Sequence, residues 1–526
     1  MSGTCQHAKL CSIMLKEAYG DLAEKVAMCL FRLGNLTLQQ IIFHTNLKLT
    51  KVQHVLRGLI NFGIVEFELP ENAKTGVKST VPVYFLRKDN ILFLQRYIRG
   101  VPVFIKKFGT EGEIMLDTLM KSGRDCASGV ILVSSVRILR TQPDQNADAV
   151  LGQMKEKMQQ LVQEGLIERV ASREPGDKRP VPDTTAVYSK SKALPEVNMP
   201  LLASKITSEN LSIKDASDTS VVWQVSRTGV SQLLRDEMFA EALTARIDNQ
   251  AGNLVRCLLQ LMSDSGDAME EVSNIFHKPT IHSIVKMSYP GSPLEAHISE
   301  YLQVLEEDSS NLLSRVGDAA GGEYQVTLKA AILELTWSAL EKIAQEQFGS
   351  KGARIFRTVR RHQFIGIDEV QNHAMLPAKE AKQIAYRLVG ENFLQLKELK
   401  LGTSTEAGKT TTNYYFFVSL TQLVRMCLEK CYLAQYSASL RQNDIVEKFS
   451  HTIQKEHRLT SLYMTLKQQG APQEQLEDIA GMLTLSERED LQKVVTWRAQ
   501  LNFSEYDIDS SILLFEIYIK VFQGKI

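Results

Sequence analysis

One short recurring pattern limits what this chain can fold into more than any other feature. Residues 59–65 read Leu59-Ile60-Asn61-Phe62-Gly63-Ile64-Val65, residues 161–167 read Leu161-Val162-Gln163-Glu164-Gly165-Leu166-Ile167, and residues 388–394 read Leu388-Val389-Gly390-Glu391-Asn392-Phe393-Leu394. Each copy ends a helix at a residue that tolerates positive φ (Gly63, Gly165, Asn392) and starts a strand at once. A repeated helix-stop-strand junction implies a repeated small domain, hence a tandem array. Length agrees, because 526 residues exceed the ~250–300 that one hydrophobic core can organise.

Helical spacing precedes each junction: Val52, Val55, Leu56 and Leu59 in the first copy, Val150, Met154, Met158 and Leu161 in the second, and Ile384 and Leu388 after Pro377 in the last. Paired strand patterns follow, 64–69 with 81–86, 166–170 with 186–189, and 393–399 with 414–418. A looser copy holds a helix over 294–305 and strands over 312–316 and 324–328 around Gly321-Gly322. Helices at 9–19, 21–33 and 38–45 open the first unit, and helices at 328–348, 353–361 and 367–373 open the last, with Gly349 as a stop. Three helices and a hairpin make a winged helix, and the additional N-terminal helices extend it.

The pattern therefore predicts a mainly α protein with small β-hairpin wings: extended winged helices over 1–100, 101–190, 221–328 and 329–420. Residues 191–220 read as a linker without periodicity. From Leu420, Leu423, Val424, Cys427, Leu428 and Cys431 a long helix runs to about residue 469, and helical spacing resumes through Leu513, Leu514, Ile517 and Val521. Residues 421–526 are thus expected to be a helical hairpin or coiled coil. Leu423, Cys427, Leu513, Leu514 and Ile517 form apolar stripes that belong to no winged-helix core, and they are expected to bind a partner.

Several functional classes find no support. No apolar run reaches the ~20 residues of a membrane span, and the N-terminus lacks the order of a signal peptide. Seven scattered cysteines point to reduced thiols inside the cell, and Cys427 and Cys431 have no second pair with which to bind zinc. Ala407-Gly408-Lys409-Thr410 looks like the end of a phosphate-binding loop, but Thr403 stands where glycine is required and a strand, not a helix, follows. His277 with His282 and His451 with His457 lack ligand spacing, and Glu270-Glu271, Glu306-Glu307 and Glu369 lie on polar faces. No catalytic residue, metal, cofactor or small-molecule substrate is expected.

Charge is where the sequence becomes informative. Basic and acidic residues tie at 61 each, yet residues 1–100 carry 13 basic against 7 acidic groups, 191–328 carry 10 against 19, and 329–420 carry 13 against 9. In the first unit Lys48, Lys51, His54 and Arg57 fall opposite Val52, Val55 and Leu56, with Lys74 and Lys78 at the wing tip. That face suits phosphate contact with DNA. Lys351, Arg354, Arg357, Arg360 and Arg361 form a second candidate DNA-binding run, although either set could be an ordinary solvated face. The third helices of the second and fourth units offer Lys155, Lys157 and Gln159, and Lys379, Lys382 and Gln383. Such side chains suit phosphate contact or protein docking better than base reading.

The run Phe348-Gly349-Ser350-Lys351-Gly352-Ala353-Arg354-Ile355-Phe356-Arg357, with Ala374-Met375-Leu376-Pro377-Ala378-Lys379-Glu380-Ala381-Lys382 and Glu391-Asn392-Phe393, resembles the third-largest subunit of DNA-dependent RNA polymerase III. Leu10-Cys11 and Leu513-Leu514-Phe515-Glu516-Ile517-Tyr518-Ile519 extend the resemblance to both ends. That family resembles the α subunit of TFIIE and has four extended winged helices and a C-terminal coiled-coil region. The resemblance implies a nuclear, non-catalytic subunit that supports transcription initiation and promoter opening. Its implied partners are two smaller subunits in a heterotrimer, the clamp of the largest subunit, and promoter DNA. One departure is the stretch 189–220, which is short and mildly charged where related chains can carry a strongly charged insert. The alternative is a free winged-helix DNA-binding transcription factor, which would need Arg, Asn or Gln aimed at base edges.

Overall fold

The computed structural model describes residues 5–69, 81–141, 146–170, 194–207, 218, 221–266, 271–400, 412–468 and 481–523. Internal contacts divide the chain into two bodies, residues 2–239 and 240–526.

The first body opens with α1 (Cys5–Tyr19) and α2 (Asp21–Leu33), separated by Gly20 at φ 85. A two-residue strand β1 (Leu36–Thr37) leads into α3 (Leu38–Thr45), and α4 (Leu49–Asn61), β2 (Val65–Glu68) and β3 (Val83–Leu86) complete the unit. Thr37 and Gln40 start α3 as a capping box, the Thr37 N–H donating to Gln40 Oε1 at 2.9 Å. Asn46, at φ 54, ends it. Leu15, Val26, Leu30, Ile41, Val52, Leu56, Leu59 and Val65 interdigitate in one core.

The second unit begins in α5 (Asp89–Ser122), which turns at Gly109 (φ 78) and so is two helices. It continues through β4 (Asp125–Cys126), α6 (Ala127–Thr141), α7 (Ala147–Gln163), β5 (Ile167–Val170), α8 (Met199–Thr207) and β6 (Val222–Val225). Here the structure corrects the sequence reading. The strand that pairs with β5 is β6, in the register Ile167↔Val225; residues 186–189 lie outside the described residues. The stretch read as a linker is therefore an insert between the two strands of the wing, and α8 gives part of it regular structure with Leu202 buried. Trp223 is almost wholly buried, so burial fixes β6, while lengthening the loop costs little because closure entropy grows only with the logarithm of length. Asp218 ties the insert down by accepting the Ser128 N–H at 2.8 Å in the first turn of α6.

Helix α9 (Arg227–Arg246) leaves the first body, and the second contains α10 (Asn249–Ser265), β7 (Phe276–His277), α11 (Lys278–Ser288), α12 (Pro293–Ala296), α13 (Ile298–Glu307), β8 (Leu313–Gly317) and β9 (Glu323–Val326). The helix expected over 294–305 is interrupted at His297. The fourth unit is α14 (Leu328–His362), α15 (Ile367–Ala374), α16 (Ala378–Gly390), β10 (Gln395–Lys400) and β11 (Thr412–Phe417). Gly349, at φ 74, folds α14 back as a helical hairpin, bringing Trp337 and Phe356 to 6.1 Å between rings.

The repeat is visible in the sheets. In the first three units the order is the same: β1-β3-β2, β4-β6-β5 and β7-β9-β8, all antiparallel. In the fourth a single bridge, Ile365↔Phe416, replaces the short strand. The short strands were not anticipated, because two residues carry no periodicity.

After the fourth unit come α17 (Leu420–Lys448), α18 (Ser450–Gln468) and α19 (Leu485–Gln523). The helix expected to reach 469 breaks at Phe449. Helix α17 packs along α19, and α19 also packs against α14. Leu423, Cys427, Leu513, Leu514 and Ile517, expected to face a partner, are all buried inside this assembly. The reason lies in α19: all eight residues from Ile512 to Ile519 are buried, seven of them hydrophobic and Glu516 the exception, so this end of the helix is covered on every side and serves as core.

Candidate nucleic-acid interface

Helix α4 is amphipathic. Val52, Leu56 and Leu59 are buried, Lys51, His54 and Arg57 are exposed on the other side, and Lys48 is exposed at the N-cap just before the helix. Two carboxylates of the same unit are engaged elsewhere: Glu66 by Arg87 at 2.9 Å and Asp21 by Lys16 at 3.6 Å. Among the described residues no ion pair involves Lys48, Lys51, His54 or Arg57, so their charge is uncompensated. Phe43 projects from α3, 77% exposed, with His44 edge-on at 5.4 Å. Lys74 and Lys78 lie outside the described residues, as do Ala407-Gly408-Lys409-Thr410.

The second basic run has a different environment. Because α14 doubles back at Gly349, Arg357 meets Glu341 and Arg360 donates to Glu334 Oε2 at 2.6 Å while its guanidinium lies 4.8 Å from the centre of the Trp337 ring. Lys351 reaches Glu380 at 2.7 Å, and Arg354 donates to the Ala374 carbonyl at 3.3 Å. Each bond is modest, since exposed pairs contribute about 0–1 kcal/mol. Together they brace α14 to itself, to the end of α15 and to α16. Of the four arginines put forward from sequence, Arg354 and Arg361 are exposed with no ion pair among the described residues, and Arg354 is held by its bond to the Ala374 carbonyl.

Among the described residues no three His, Cys, Asp or Glu side chains stand close enough to hold a metal ion. Burial pushes the thiols of Cys427 and Cys431 up to about 12 and those of Cys126 and Cys257 to about 11, which keeps them protonated and unreactive at neutral pH. No helix among the described residues is long and apolar enough to cross a membrane.

Sequence reasoning missed one internal polar group, Arg227 at the head of α9. Its guanidinium donates to the Phe62 carbonyl at 2.5 Å, lies 5.7 Å from the centre of the Phe93 ring, and is held below its ordinary pKa by burial. It ties the start of α9 to the first unit at the Gly63 junction. A lone arginine after a strand carries no sequence signal for such a role.

Four family profiles match the chain in order. They describe the RNA polymerase III subunit RPC82 helix-turn-helix domain (residues 9–69), RNA polymerase III subunit RPC82 (145–335), a POLR3C C-terminal winged-helix domain (340–418), and the helical hairpin domain of DNA-directed RNA polymerase III subunit RPC3 (452–514). The chain is 26% identical to DNA-directed RNA polymerase III subunit RPC3 of Rattus norvegicus and of Homo sapiens, each across 97% of this chain and 98% of that protein. It is also 26% identical to the subunit of the same name from Danio rerio, across 99% of both.

Proposed function

The chain belongs to the RPC3/RPC82 family of RNA polymerase III subunits, and from that premise we propose that it is a non-catalytic, nuclear subunit supporting promoter opening. In this reading it joins two smaller subunits in a heterotrimer on the clamp of the largest subunit. Its units span 1–100, 101–225, 226–328 and 329–420, with 421–526 as the helical anchor. Val495 (67% exposed) and Phe503 (75% exposed), on α19, are among the exposed apolar side chains the anchor offers, whereas Leu513 and Ile517 are buried.

The DNA-proximal surface in this reading is the outer side of α4. Lys48, Lys51, His54 and Arg57 contact phosphates there. The observation that carries it is the absence of any carboxylate partner for those four side chains among the described residues. Arg354, Arg357 and Arg360 are braces instead, and Arg361 is the member of that run left to reach DNA. A free transcription factor is disfavoured because the relatives are polymerase subunits.

The test is polymerase assembled with the Lys48→Glu, Lys51→Glu, Arg57→Glu chain. Each lost phosphate contact should flatten the log-log salt dependence of promoter binding by about 0.9, or about 2.7 for the three, and open-complex yield should fall with it. An unchanged salt slope and yield would return α4 to a solvated face.

A further inference from the structure

The fold places the third helix of every unit alike, but the outer surfaces of these helices differ in charge. Helix α13 exposes Glu300, Glu306 and Glu307; α7 exposes Asp148 and Glu156, with Lys155 and Lys157 half-buried. Helix α16 instead exposes Lys379, Lys382, Gln383 and Tyr386, spaced as one stripe opposite buried Ala381, Ala385 and Leu388. Carboxylates that could neutralise this stripe are occupied. Glu380, on the same helix, is held by Lys351 at 2.7 Å, and Glu391, just past its end, by Lys430 at 3.2 Å. Lys379 and Lys382 make no ion pair among the described residues, which is the condition found on α4.

The entry to the helix is shaped for close approach. Met375, at φ 50 in the turn, is 85% exposed, and the first residue of α16 is a small, exposed Ala378. Behind the stripe, the Lys351 and Arg354 bonds fix α16 and the end of α15 to α14, so the helix is presented on a braced support. The basic run of α14 thus acts through α16.

Resting on the reading that this chain contacts promoter DNA, we propose that α16 is a second binding site for duplex DNA. Lys379 and Lys382 take phosphate oxygens at the edge of a groove, and Gln383 and Tyr386 face into it. Two lysines and one glutamine give position more than sequence selectivity, since phosphate contacts fix register and carry no base information.

The experiment measures binding of a promoter duplex to the purified full chain by fluorescence anisotropy across a salt series. The variants are Lys379→Gln with Lys382→Gln, and separately both lysines to Glu; both positions are exposed, and circular dichroism checks that the fold is retained. The Gln pair should lower the salt slope by about 1.8, and the Glu pair should weaken binding further. The chain carrying the Gln pair should still copurify with the other polymerase subunits. An unchanged slope overturns the proposal. With assembly intact, that result makes the stripe a solvated face; with a polymerase subunit lost on copurification, it makes it a protein-docking face. The Lys48→Glu, Lys51→Glu, Arg57→Glu chain is measured alongside. If it loses slope while the α16 variants do not, only the α16 site falls; if neither loses slope, the DNA reading falls with it.

Discussion

Gly63, Gly165 and Asn392 sit at φ 61, 74 and 61 and make the same pair of bonds in their units. The following N–H reaches back five residues to a buried leucine in the last turn of the helix (Ile64 to Leu59 at 2.9 Å, Leu166 to Leu161 at 3.0 Å, Phe393 to Leu388 at 2.9 Å), closing a Schellman-type cap. These three are the residues that the repeated pattern singled out. Replacing Gly165 with Ala should cost about 1–2 kcal/mol, the price of the left-handed region for a residue with Cβ, because nothing else crowds that position. Gly63→Ala should cost clearly more, since its Cβ would stand 2.7 Å from Arg227 Nη2 and push the buried guanidinium off the Phe62 carbonyl. Urea unfolding of the two variants checks the order, and equal losses would show that the Arg227 link carries no weight. In the third unit the positive-φ residue before the strand is Asn311, at φ 50, but α13 has already ended at the extended Asp308, so the junction is built differently. It escaped the sequence search because five residues separate Leu305 from Asn311, where three separate Leu59 from Gly63.

At the scale of elements, helices were legible from apolar spacing and glycine stops: 21–33 and 38–45 coincide with α2 and α3, and Gly349 does interrupt α14. What spacing could not convey is the identity of the covering surface. A stripe such as Leu423, Val424, Cys427 and Leu428 looks the same whether a partner or the chain's own helix buries it. The run Ile512 to Ile519, hydrophobic except for Glu516, did hold the answer, because a helix hydrophobic on nearly every side belongs in a core. Tyr432 and Glu516 mark the same packing, the phenol donating to the buried carboxylate at 3.0 Å. Leu513→Glu with Ile517→Glu should therefore unfold the C-terminal hairpin, at a cost of several kcal/mol for unpaired buried charge. A calorimetric scan should show a lower or split transition and circular dichroism a loss of helix. A wild-type melt in the double variant would contradict the packing of α17 on α19.

For the whole molecule, the count of four units was readable because each junction repeats a local rule, whereas the second wing was not, because β5 and β6 are separated by an insert in which sequence gives no pairing signal. Charge distribution was legible only as sums. Residues 1–100 and 329–420 are both basic, but which cations are free depends on ion pairs that only the fold reveals, so Lys48 and Lys51 are left open while Arg357 and Arg360 are answered. The central claim is that an RPC3-family chain presents the outer side of α4 to promoter DNA within the polymerase. The most direct measurement places a photoactivatable cross-linking residue at Lys51 in polymerase assembled on a promoter. A covalent adduct with promoter DNA, lost at high salt, is the predicted result; adducts confined to other polymerase subunits would contradict it.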